Sequence, residues 1–202
     1  MRAAKKGNVL NRSFYCRNTL TVAKQLLGKL LVRELPEGKV AGKIVEVEAY
    51  RGSDDPASHA YKGKTQRNQI MFGEGGYAYI YFIYGKHFCL NVTTEKVGVP
   101  GAVLIRAVEP VYGIEIMKRK RRTENVKNLT NGPGKLTQAM DITVELNGWD
   151  LTRGEKLYIC DLDVVEPFEV VSSGRIGVKA GADKPWRFFI KGNLFVSKRI
   201  SS

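Results

Sequence analysis

The segment VEVEAY, residues 45–50, sets two carboxylates and a phenol at alternate positions. On a strand, alternation puts Glu46, Glu48 and Tyr50 on one face and Val45, Val47 and Ala49 on the other. The apolar face buries. The acidic face is either solvated, which makes these two ordinary surface carboxylates, or it lines a site. In a site, a carboxylate beside an aromatic wall can take a proton from water. Two further polar residues interrupt apolar strands: Asn91 in FCLNVTT and Arg106 in AVLIRAVEP. Burying either costs free energy unless it is paired. Each therefore bonds a core backbone group or carboxylate, or faces a polar pocket. GYAYIYFIYG, residues 76–85, carries four tyrosines and a phenylalanine in ten positions. Its content reads as a strand, and each buried hydroxyl needs a partner. The rings are either core with satisfied hydroxyls or displayed to stack on a flat ligand. His59, taken alone, is a loop histidine with no role.

Other chemistries are excluded or weak. SHAYKGKT at 58–65 nearly spells a phosphate-binding loop, but Ser58 replaces the opening glycine that the tight backbone wrap requires. No βαβ context surrounds it, so nucleotide hydrolysis is rejected. There is no CxxC pair and no HExxH, so no metal site is expected. The three cysteines, Cys16, Cys89 and Cys160, are widely spaced among apolar residues and read as reduced core thiols of an intracellular protein. The basic N-terminus has no apolar segment behind it and does not read as a secretory signal. No apolar run approaches a bilayer span, so no membrane association is expected. Lys and Arg number 33 against 20 Asp and Glu, a net charge of +13. That balance favours a polyanionic partner, nucleic acid above all. The charge is clustered in KGKTQR at 62–67 and KRKRR at 118–122.

These residues need elements to hold them. TLTVAKQLL at 19–27 has helical periodicity, with Gly28 as its stop. KLLVREL at 29–35 and VAGKIVEVEAY at 40–50 form a hairpin around a turn at PEGK. Residues 51–75 form a polar loop region with a helical turn near Asp55. The tyrosine strand, a strand at 88–94 and another at 102–110 follow. VYGIEIMKRKRR is read as a helix with a basic end. NVKNLTNGP is a loop, and Pro133 sits in the first turn of a short helix. LYICD, FEVVSS and RFFIKG are short strands. Strands joined by short turns rather than crossovers argue for an α+β fold. The expected architecture is a single compact domain spanning 1–202, with a curved, largely antiparallel β-sheet flanked by helices.

The blocks VEVEAYRGSDDPASHA, TQRNQIMFGEGGYAYIYFIYGKHFCLNV, AVLIRAVEP, NGPGKLTQAMDI and PWRFFIKGNLFVS together resemble the alkyladenine (3-methyladenine, or methylpurine) DNA glycosylases. The resemblance runs in order from about residue 13 to residue 197. It implies a methylpurine-DNA-glycosylase-like fold. It also implies a base-excision repair enzyme acting on double-stranded DNA that contains damaged purines: 3-methyladenine, 7-methylguanine, hypoxanthine or ethenoadenine. Such enzymes flip the nucleotide out of the duplex, because the reacting carbon is inaccessible in the stack.

By that resemblance, Glu48 is the general base and Arg106 helps hold the attacking water. Tyr50, His59 and Tyr81 wall the base pocket, and His59 also offers its backbone amide to the base edge. Asn91 excludes the exocyclic amino group of normal guanine. Tyr84 is the wedge that fills the vacated stack, while Tyr77 and Tyr79 keep the core reading. Thr65, Arg67 and Lys135 match DNA-backbone contacts. Two departures stand out. Gln66 replaces a proline common in the family, and Lys86 puts a cation beside Tyr84, where a phosphate contact is expected. With no lysine in the VEVEAY block, a monofunctional enzyme with a water nucleophile is implied. It needs no cofactor, acts as a monomer and works in a bacterial cytoplasm, or in the nucleus if eukaryotic. The rival is a non-catalytic nucleic-acid binder that uses its tyrosines as a stacking platform. That rival leaves Glu48, Asn91 and Arg106 without a reason. An RNA-modifying enzyme fits the charge but no motif.

Overall fold

Pro36 and Glu37 close the first hairpin. β1 (Leu30–Leu35) and β2 (Gly38–Tyr50) pair antiparallel from Leu35 opposite Gly38 to Leu30 opposite Lys43. Gly38 takes a φ of +130°, which costs glycine little. The computed structural model describes residues 7–83, 85, 87–162 and 166–197. Six more strands complete one sheet: β3 (Ala78–Ile83), β4 (His87–Thr93), β5 (Ala102–Tyr112), β6 (Leu157–Cys160), β7 (Val170–Ser173) and β8 (Arg187–Ile190). The order is β3-β4-β5-β2-β1-β6, and β8 joins β2 and β7 off that path. Every pairing among the described strands is antiparallel, as the short connections led one to expect.

The helices are short. α1 (Arg12–Tyr15) and α2 (Thr19–Leu26) are capped by the side chains of Asn11 and Asn18. α3 (Ile114–Arg121) and α4 (Pro133–Ala139) follow β5, and α4 starts on its proline. α2 and α4 lie on the sheet. Val22, Leu26, Ile44, Val47, Ile105 and Leu136 belong to one buried cluster. The helix expected over VYGIEIMKRKRR begins later than its sequence suggested. Val111 and Tyr112 end β5, and Gly113, at φ +69°, turns the chain into α3. A Cβ at Gly113 would lie 2.4 Å from the Lys39 carbonyl oxygen, so the junction admits no side chain.

The β2–β5 pairing contains the irregularity that matters. Val45 is an extra residue on β2, and Arg106 is an extra residue on β5 a step further along, so the two shifts cancel. Ile44 and Val45 both enter the main core, and Val47 and Ala49 continue on that face. The bulge therefore reverses the parity of β2 and turns Glu46 and Glu48 to the opposite face. Without it the phase set by Val40 and Ile44 would drive both carboxylates into the apolar core.

Candidate active site

Opposite the main core, the sheet carries a cavity of about 350 Å³. Tyr79, Tyr81 and Ile83 line it from β3, and Cys89 and Asn91 from β4. Leu104 and Arg106 line it from β5, Tyr50 from the end of β2, and His59 and Ile176 from two loops. Its size and its mix of aromatic walls with a few polar groups suit a small flat ligand. The alternation of β3 resolves the tyrosine-rich segment. Ala78 and Ile80 enter the core, Phe82 is exposed beside Phe88, and Tyr79, Tyr81 and Ile83 face the cavity.

Glu48 and Glu46 are both fully buried, which rules out the solvated reading of the acidic face. Glu48 sits just behind the cavity wall. Its Oε1 accepts from the Ile176 N–H at 2.7 Å, and its Oε2 accepts from the Tyr50 hydroxyl at 2.8 Å. Arg106 approaches Oε2 to 3.2 Å. Among the described residues, a second lone pair on Oε1 remains for a further donor. Arg106 also donates its Nε–H to Glu46 Oε1 at 2.9 Å. Arg187 bonds the same oxygen at 2.8 Å, and the Ser197 N–H and hydroxyl complete the Glu46 shell. Two carboxylates and two guanidinium groups thus make a cluster with no net charge. Burial works against the Arg106 charge, but Glu48 and Glu46 outweigh it and raise the Arg106 pKa. The Tyr50 phenol is pushed far above its ordinary value by burial and then by the Glu48 carboxylate beside it. Clusters of this kind are poor devices for stability alone, and they gather at functional sites.

The aromatic walls are mutually braced. The His59 ring meets Tyr81 edge-on at 4.7 Å, and its Nδ1 lies 2.8 Å from the Tyr79 hydroxyl. Desolvation and then the Arg67 charge lower the His59 pKa, so the neutral ring dominates near neutral pH. The His59 N–H has no acceptor among the described residues. Burial raises the Tyr79 and Tyr81 phenols and the Cys89 thiol. Asn91 is locked by donating its Nδ2–H to the Tyr79 carbonyl at 3.1 Å.

At the cavity mouth, Arg67 lies 5.2 Å from the centre of the Tyr81 ring. Tyr61, Lys62, Lys64, Thr65, Gln66 and Arg67 are exposed around it. Asn68 staples this loop from below by bonding the Thr65 N–H and the carbonyls of His59 and Gly63. Lys135 is placed differently. Its ammonium group bonds the side chains of Asn128 and Asn131, and it does not line the cavity. Tyr84 and Lys86 lie outside the described residues.

Of the residues singled out in the sequence, the fold brings Glu48, Tyr50, His59, Tyr81, Asn91 and Arg106 around one cavity, with Thr65 and Arg67 at its rim. It adds residues that sequence reasoning missed. Tyr79, expected in the core, is buried in a small cluster with Ala60, Met71 and Ala102, and it also lines the cavity. Glu46 has Arg187 and Ser197 as partners from the C-terminal part of the chain. The loop 174–178 carries Ile176, and no local pattern marks it. Among the described residues no group of three or more His, Cys, Asp or Glu could hold a metal ion. No helix among them is long and apolar enough to cross a membrane.

Comparison with known proteins gives one consistent result. A family model described as Methylpurine-DNA glycosylase (MPG) matches residues 13–194. A protein of Carboxydothermus hydrogenoformans is 51% identical over 191 residues, covering 95% of this chain and all of its own length. One from Methanocella arvoryzae is 53% identical over 195 residues, covering 95% of this chain and 96% of its own. One from Clostridium acetobutylicum is 48% identical over 200 residues, covering 93% and 97%. All three carry the name "Putative 3-methyladenine DNA glycosylase".

Proposed function

Since the chain belongs to the methylpurine-DNA glycosylase family, we propose that it excises alkylated or deaminated purines from duplex DNA by hydrolysing the N-glycosidic bond. The damaged nucleotide is flipped into the cavity, where Tyr50, His59 and Tyr81 stack on or wall the base. A cationic alkylated purine gains from the electron-rich tyrosine faces and leaves readily. Asn91, held by the Tyr79 carbonyl, rejects normal guanine, because the exocyclic amino group meets a polar group that cannot move away.

Glu48 is the base. The observation that carries this reading is its position, fully buried behind an aromatic cavity, with a lone pair unused by any described residue and one guanidinium shared with Glu46. Glu48 presents its carboxylate, whose partner Arg106 is shared with Glu46, to the oxocarbenium-like sugar. It takes a proton from water as that water attacks C1′, the C1′–N bond breaks with its electron pair going to the purine, and Arg106 supplies the neighbouring cation. A cationic purine leaves neutral, while hypoxanthine or ethenoadenine takes a proton from solvent as it leaves. Among the described residues lining the cavity there is no lysine, which supports a water nucleophile and an abasic product without strand cleavage. The exposed loop at 61–67, with Lys62, Lys64 and Arg67, meets the phosphates around the flipped nucleotide. Lys135, half-buried and bonded to Asn128 and Asn131, keeps its proposed role as a DNA-backbone contact.

A labelled duplex with one hypoxanthine or ethenoadenine tests this. Alkali-dependent cleavage by wild type, absent in Glu48→Gln while binding persists, is the expected outcome. Lesion-selective binding with no cleavage by either protein would show a recognition module instead.

A further inference from the structure

Two loops flank the cavity, one at 51–59 and one at 174–178, and a buried ion pair joins them. Arg175 is 6% exposed and its side chain is wholly enclosed, as is that of Asp55. Its two terminal nitrogens bond the two Asp55 oxygens at 2.6 Å each, in a bidentate fork. The same nitrogens reach the carbonyls of Ala49 at 3.0 Å and Gly181 at 3.3 Å. The guanidinium also lies 4.7 Å from the centre of the Tyr50 ring and 5.3 Å from that of Trp186. Asp55 in turn accepts from the N–H groups of Arg51 and Ala57, which sets the curve of the first loop toward His59. The next residue after Arg175 is Ile176, whose N–H donates to Glu48 Oε1.

We infer that Arg175 and Asp55 form a positioning clasp for the proposed reaction: it aims the Ile176 N–H at Glu48 and holds the Tyr50 ring whose hydroxyl bonds the other Glu48 oxygen. The inference rests on the reading of Glu48 as the base. Neither residue touches the cavity, so neither is catalytic. A lysine at 175 keeps the charge, but its point-like ammonium group cannot span both Asp55 oxygens and two carbonyls. The backbone of Ile176 then loses its fixed aim, and Glu48 loses a hydrogen bond that sets where its free lone pair points.

The test uses full-length protein, Arg175→Lys and Asp55→Asn, in single-turnover excision from an ethenoadenine duplex with enzyme in excess. The maximal rate is expected to fall roughly tenfold or more, with the half-saturating enzyme concentration unchanged. Amide hydrogen exchange supplies the second readout. The Ile176 amide should lose protection while amides of β2 and β5 keep theirs. A rate equal to wild type, or a lowered rate with the Ile176 amide still protected, overturns the clasp. If Arg175→Lys loses core protection as well, Asp55→Asn, which keeps the side-chain volume, decides. If Glu48→Gln remains active, the assignment of the base fails. Exchange at Ile176 still reports the geometry of the clasp in that event.

Discussion

At the scale of single residues, the site is a problem in keeping buried charge paired. Arg106 serves two carboxylates at once, so removing it takes from Glu48 and from Glu46 an ion-pair partner each within 3.2 Å. Arg106→Met should lower unfolding stability by about 3–5 kcal/mol, measured by urea denaturation, because it strands buried charge. Arg106→Lys should recover only part of this, since it cannot reach both acids. His59 gives a pH dependence with a definite sign. Its folded pKa lies below the ordinary value, through desolvation and then Arg67. The unfolded chain therefore binds the proton first as pH falls. The stability linked to His59 is full above about pH 6.5 and is lost as pH drops from there toward the folded pKa. Arg67→Ala should raise the His59 pKa in an NMR titration; an unmoved value would show that the two groups do not interact.

At the scale of elements, a one-residue bulge decides which face of β2 carries the acids. Inserting one alanine between Val45 and Glu46 should turn Glu46 and Glu48 to the core phase, and the expected product is insoluble or unfolded protein by circular dichroism. Gly113 sets the β5–α3 junction through its positive φ and its contact with the Lys39 carbonyl. Gly113→Ala should cost about 1–3 kcal/mol, seen as a lowered melting temperature. Excision at low temperature should be unchanged, since the junction is not part of the cavity.

At the scale of the whole molecule, the +13 charge is not evenly available. Lys118 is paired with Glu115 and Glu124, and Lys120 with Glu37 and Asp141. Arg121 is bonded to Gln138 and to the carbonyls of Leu129 and Asn128. Much of the KRKRR cluster is thus occupied within the fold, whereas Lys62, Lys64 and Arg67 are exposed and Arg67 lies against the cavity-lining Tyr81. Plots of log affinity against log salt should become shallower by about one unit for each of Lys62→Ala, Lys64→Ala and Arg67→Ala. Lys118→Ala and Lys120→Ala should leave the slope unchanged. Equal effects from both clusters would place the DNA over α3 as well.

The sequence by itself determined the antiparallel α+β sheet, the helices at 19–26 and 133–139, and the family, because periodicity, turn residues and long ordered motifs are local or collinear signals. It also determined that Glu48, Tyr50, Arg106 and Asn91 break the apolar pattern of their strands, which is why they stood out. Only the tertiary structure decided what those residues meet. Glu46 finds Arg187 and Ser197, and Asp55 finds Arg175, across more than a hundred residues of chain. No period or spacing records such a pair, since an ion pair depends on where loops return in space. Tyr79 shows the same limit at short range: alternation fixed its face, but whether that face was core or cavity depended on what packed against it. The bulge at Val45 is the last case, because an inserted residue changes parity without changing composition, and only the partner strand reveals it.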